Sequence, residues 1–92
     1  MADPIIVDLP ESLTIATAEA LHEQLEPHAA GSTDVVLNPA AVTRADTAGL
    51  QLIYVFITSL KNHGANCSWA STPAVIVDAA EQLGLKTHLQ LN

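Results

Sequence analysis

Behind Asp46 the chain carries no charged residue until Lys61, and this neutral run, Thr47 to Leu60, constrains the fold more than any other stretch. It is too short to cross a bilayer, which takes roughly 20 consecutive apolar residues. The expectation is a helix with one side in a core. At about 100° per residue, Leu50, Leu52, Ile53, Phe56, Ile57 and Leu60 gather into one broad apolar sector. Thr47, Gln51, Val55 and Thr58 fall on the opposite side, with Tyr54 at its margin. A solvated helix face ordinarily carries Lys, Glu or Arg, whereas this one is small and uncharged, a composition found where charge is depleted at the centre of a protein interface. The strip reads as a docking surface. A face covered in a homodimer, or one that simply tolerates neutral residues, has the same composition.

The start of this helix adds chemistry. Asp and Thr side chains accept hydrogen bonds from the unpaired N–H groups at a helix start, so Asp46 or Thr47 serves as the N-cap. A hydroxyl placed there is exposed, and the macrodipole and free N–H groups both favour a phosphate on it. A plain cap without regulatory meaning uses the same two residues.

Along the rest of the chain, elements alternate. Ile5-Ile6-Val7 is a short strand, and Thr14 caps a helix from Ile15 to about His28 with Ile15, Ala18, Leu21 and Leu25 on one face. After the turn Gly31-Ser32-Thr33-Asp34, the continuous aliphatic run Val35-Val36-Leu37 is typical of a strand covered on both faces, the centre of a sheet, and Asn38-Pro39 ends it. Asn62-His63-Gly64 stops the Thr47 helix, and Cys67 to Ala70 forms a third strand. A helix from Pro73 to Leu83, with Pro73 at its first position, ends at Gly84. Thr87 to Leu91 reads as a final edge strand. The order β-α-β-α-β-α-β predicts an α/β fold, a mixed four-stranded sheet packed with helices. Leu52, Phe56, Leu37 and Trp69 are expected together in the core, with Thr47, Gln51 and Thr58 exposed.

Composition narrows the function. A chain of 92 residues, 49% hydrophobic and 14% charged, is one domain spanning residues 1–92 with just enough length for a two-layer core. Ten acidic against three basic residues give a net charge of -7, which opposes binding to nucleic acid or to an anionic membrane surface. Partners are expected to be proteins with basic patches. Met1-Ala2-Asp3-Pro4 lacks the basic and apolar regions of a signal peptide, and the single cysteine, Cys67, excludes an internal disulfide and suits a reducing compartment, so the expected location is the cytoplasm. His22, His28, His63 and His88 are scattered without metal-ligand spacing, and no Gly-x-Ser-x-Gly elbow occurs. Gly49 and Gly64 are too isolated for a dinucleotide or P-loop site, so neither an enzyme nor a cofactor is expected.

The succession Val35-Val36-Leu37-Asn38, Val42 and Asp46-Thr47-Ala48-Gly49-Leu50 resembles the STAS domain, the fold of bacterial anti-sigma factor antagonists. A second stretch, Leu13-Thr14-Ile15-Ala16-Thr17-Ala18-Glu19-Ala20-Leu21, is similar to the segment that opens the first helix in that family, and the resemblance runs from about Pro4 to Leu91. It implies a small signal-transduction module in which Thr47 is phosphorylated by a partner kinase. The implied partner surface comprises Asp46, Thr47, Ala48, Gly49, Gln51, Tyr54, Val55, Thr58 and Thr14. The chain departs from the pattern at Thr14, where the family often has Asp, and at Pro10-Glu11-Ser12, which replaces a Gly-containing turn. Thr47 replaces the more usual Ser, and Ala48 a second hydroxyl. That combination is similar to STAS proteins of chemotaxis-type signalling clusters and also to the cytosolic STAS subunit of an ABC lipid transporter. The implied partner is an anti-sigma factor or serine/threonine kinase-like regulator; the alternative is a constitutive subunit that binds an ABC ATPase through Thr47. A homodimer is compatible with both.

Overall fold

A computed structural model describes residues 3–91; Met1, Ala2 and Asn92, at the ends of the predicted domain, lie outside the described residues. In chain order the strands are β1 (Ile5–Asp8), β2 (Ser12–Leu13), β3 (Val35–Asn38), β4 (Arg44–Ala45) and β5 (Cys67–Trp69). The helices are α1 (Ala18–Ala29), α2 (Thr47–Asn62) and α3 (Ala74–Gln82). β1, β3 and β5 form a parallel sheet in the order β1-β3-β5, with Val7 beside Leu37 and Leu37 beside Trp69. The central place of β3 agrees with its unbroken aliphatic run. α1 lies in the crossover from β1 to β3 and α2 in that from β3 to β5, as parallel neighbours require.

One cluster of buried side chains joins the elements. Val7, Val35, Leu37 and Cys67 of the sheet belong to it, with Leu21 and Leu25 of α1, Leu50, Ile53, Phe56, Ile57 and Leu60 of α2, and Ile76 and Ala80 of α3. Successive strand residues point to opposite faces, and the other face is not covered as the run Val35-Val36-Leu37 predicts. Ile6 is 65% exposed, Ser68 is exposed and Val36 is half-buried, all three in one register row. Leu52 and Trp69 are half-buried against the core rather than within it. The Trp69 indole keeps its polar edge at the margin, where Nε1 donates to the Leu89 carbonyl at 2.7 Å.

Three further differences have local causes. The predicted mixed, four-stranded sheet is replaced by three parallel strands, because Thr87 to Gln90 folds as turns and Leu91 follows without regular structure. Its backbone is satisfied locally, Leu89 N–H donating to the Leu85 carbonyl at 2.8 Å and Leu91 N–H to the Lys86 carbonyl at 3.0 Å, with Gln90 left-handed at φ 61°. Leu89 and Leu91 are both buried, so an alternation that imitates a strand is met by a coiled terminus instead. The helix expected from Ile15 begins as one 3₁₀ turn, Ile15–Thr17. Even at 100° per residue Ile15 lies about 80° from Leu25 and about 120° from Leu21, and it is 74% exposed rather than in the core. Pro73 stands one place earlier than expected, at the N-cap of α3.

Glycine ends two helices. Gly64 has φ 80°, which lets the Ala65 N–H reach back to the Leu60 carbonyl at 2.9 Å; Gly84, at φ 71°, does the same for Leu85 and Ala80 at 2.8 Å.

Candidate functional site

A two-residue ladder builds the site. β2 pairs in parallel with β4, Ser12 beside Arg44 and Leu13 beside Ala45, and the Asp46 N–H continues the pairing to the Leu13 carbonyl at 2.9 Å. Two segments far apart in sequence therefore leave the ladder side by side. One carries Thr14 and Ile15; the other carries Asp46 and Thr47 at the start of α2. Thr14 is the N-cap residue of the 3₁₀ turn, as expected, and the Thr17 hydroxyl bonds back to it. Thr17 Oγ1 accepts the Thr14 N–H at 3.2 Å and donates to the Ser12 carbonyl at 2.7 Å.

Asp46 is the N-cap of α2, which resolves the choice left by the sequence. Its Oδ1 accepts the Gly49 N–H at 3.1 Å and its Oδ2 accepts the Ile15 N–H at 3.0 Å. These bonds stabilise the charged form, the one from Gly49 most and that from Ile15 next, and hold the carboxyl below its ordinary 3.8. One carboxylate thus caps a helix and fastens the neighbouring loop to it.

Gly49 is buried one turn into α2, and a Cβ built there would lie 1.9 Å from the Leu13 carbonyl oxygen and 2.2 Å from its carbon. Only glycine permits this approach of helix to ladder. Gly49 thus has no surface to offer a partner; it sets the height at which its neighbours stand. Thr47, the first residue of α2, is exposed, as are Gln51, Val55 (63%) and Thr58, while Ala48, Tyr54 and Thr14 are half-buried. The Tyr54 ring meets His88 edge-on, with centroids 5.3 Å apart. The exposed residues form one strip along α2, free of formal charge between Asp46 and Lys61.

Sequence reasoning missed Ile15 as a surface residue of this site. A 3₁₀ start is not distinguishable from an α-helical one by apolar spacing over a single turn. Elsewhere, no group of three or more His, Cys, Asp or Glu able to hold a metal occurs among the described residues. Burial pushes the Cys67 thiol up to about 12, so it is not an activated nucleophile. No helix among the described residues is long and apolar enough to cross a membrane.

The model of the STAS domain family matches residues 2–92. No curated protein matches the chain.

Proposed function

The chain belongs to the STAS domain family, and on that premise we propose that this regulatory protein-interaction module is a non-enzymatic phospho-switch of the anti-sigma factor antagonist type. Unmodified Thr47 lets the strip Thr47, Gln51, Val55, Thr58, with Tyr54, Thr14 and Ala48 at its margins, dock a regulatory protein. Phosphorylation of Thr47 ends or redirects the docking. The observation that carries this reading is the exposed Thr47 hydroxyl at the first position of a helix whose cap is already supplied by Asp46. Because Asp46 does the capping, the Thr47 side chain is not needed for the fold and is available for a partner.

Charge gives the direction of the switch. A phosphate adds about -1.5 to -2 charges at neutral pH, and here it would sit beside the Asp46 carboxylate on a chain of net charge -7. The α2 N-terminus favours an anion by roughly 0.3 to 1 kcal/mol at an exposed position, enough to tolerate the phosphate without unfolding. A partner that accepts a neutral surface must then bury an unpaired dianion. Release is the expected outcome.

Location in the cytoplasm and a kinase-like or anti-sigma-like partner belong to the same proposal. Phosphopeptide mass spectrometry of the native protein, isolated with its binding partner and without it, tests it. Phosphate on Thr47 confined to the partner-free pool supports the switch. An equal phosphate content in both pools, or none in either, favours constitutive docking as a transporter accessory subunit.

A further inference from the structure

On the side of α2 that faces α1 lies a groove of about 190 Å³ that shares only Val55 with the Thr47 strip. Leu25 and Ala29 of α1 form one wall, and Leu52, Val55 and Phe56 of α2 the other. Ser59 closes one end, its hydroxyl donating to the Ala29 carbonyl at 3.3 Å. At the rim stand His22 and Glu26, with Nε2 and Oε2 3.2 Å apart, both side chains more than half exposed. Val55 belongs both to this groove and to the exposed strip, so the two surfaces are continuous.

The charge around the groove is one-sided. α1 contributes Glu19, Glu23 and Glu26 and no Lys or Arg, while the single cation of α2, Lys61, lies beyond Ser59 at the far end of that helix. An apolar slot with exposed aliphatic carbon at its lip, the Glu26 carboxylate at its rim and two further glutamates on the same helix matches a helix that carries an apolar anchor flanked by Lys or Arg. An acidic helix would meet Glu26 with like charge.

We infer that the α1–α2 groove is a second docking site, and that its occupant is a basic amphipathic helix of a protein partner. An apolar side chain seats between Leu25, Ala29 and Phe56, and a neighbouring cation pairs with Glu26. This rests on the interaction-module reading but not on phosphorylation of Thr47.

The test is an amide chemical-shift titration of the full chain with a synthetic helical peptide carrying Leu at i, i+3, i+4 and i+7 and Lys elsewhere. Its control is the same peptide with Glu in place of Lys. The expected result is saturable perturbation at Leu25, Ala29, Leu52 and Phe56 by the Lys peptide alone. Ala29→Leu, which fills the slot, should weaken binding about tenfold. Glu26→Lys, at a side chain 69% exposed and so harmless to the fold, should weaken the Lys peptide and favour the Glu peptide. Perturbation centred on Thr47 and Thr58 with a silent groove overturns the groove assignment and leaves the docking strip standing. Perturbation confined to the groove supports it whatever becomes of the Thr47 switch. Equal binding of both peptides, no saturation, or indifference to both substitutions overturns it.

Discussion

The Asp46 carboxylate accepts the Ile15 backbone N–H at 3.0 Å across 31 positions of sequence, and so ties the entry to the first helix to the start of the second. The same group caps α2 through Gly49, so the folded chain favours its ionised form through two backbone bonds. Its folded pKa lies below the ordinary 3.8, first through the Gly49 N–H and then through the Ile15 N–H. A depressed carboxylate contributes stability that is present above the unfolded value and lost as pH falls through the folded one. Asp46→Asn keeps an N-cap side chain but not the charge. Its melting temperature should fall below wild type at neutral pH, and the gap should close as the pH drops below about 3.8. Calorimetry of both proteins across that range checks it; a gap independent of pH would mean the charge is idle.

Gly49→Ala probes the same junction sterically. The new methyl carbon meets backbone atoms of Leu13, not the end of a flexible side chain, so either the β2–β4 ladder or the first turn of α2 must move. Overpacking in a core typically costs 1 to 3 kcal/mol, and backbone obstruction places this variant at about 3 kcal/mol or beyond. Urea denaturation should show it. In the folded fraction, amide exchange at Leu13, Ile15 and Asp46 should accelerate while β3 stays protected.

The two sides of α2 make opposite predictions. Phe56 is 2% exposed and in the core cluster, so Phe56→Ala should cost about 3 to 5 kcal/mol, most of the stability of a small domain. Val55, the adjacent residue at 63% exposure, should lose no more than about 0.5 kcal/mol as Ala. Chemical denaturation of the pair checks the face assignment. Similar losses at both positions would mean that the helix is rotated from the orientation described.

This helix was legible in the sequence because its signal is long and redundant: several turns of apolar spacing, an Asp cap and a Gly stop all agree. β3 was legible from a shorter signal, three consecutive aliphatic residues closed by Asn38-Pro39, which placed it at the sheet centre but overstated the cover on its second face. The last segment was not, since Leu89 and Leu91 bury whether the chain is extended or coiled, and the alternation records burial rather than backbone. β2 and β4 have only two residues each, too few to show a period. The exposed strip of the candidate site could be read from the spacing on α2. The Asp46–Ile15 bond could not, because it depends on where two distant loops meet, and the groove depends on how closely α1 lies against α2.

The decisive prediction uses charge and shape at Thr47 to separate folding from docking. Thr47→Glu should keep the fold, since Asp46 supplies the cap and a carboxylate in the first turn is favoured by the helix dipole. It should weaken partner binding by placing an unpaired charge at the interface. Thr47→Val is close in shape, lacks the hydroxyl and cannot be phosphorylated. Under the switch, the Val variant binds the co-purifying partner like wild type and escapes kinase control. Under constitutive docking it loses a hydrogen bond to that partner, about 0.5 to 1.5 kcal/mol, or roughly two- to twelvefold in affinity. Titration calorimetry on both variants separates the cases. If both bind like wild type and the partner's hydrogen-exchange footprint avoids residues 46–58, the exposed strip of α2 is not the functional surface.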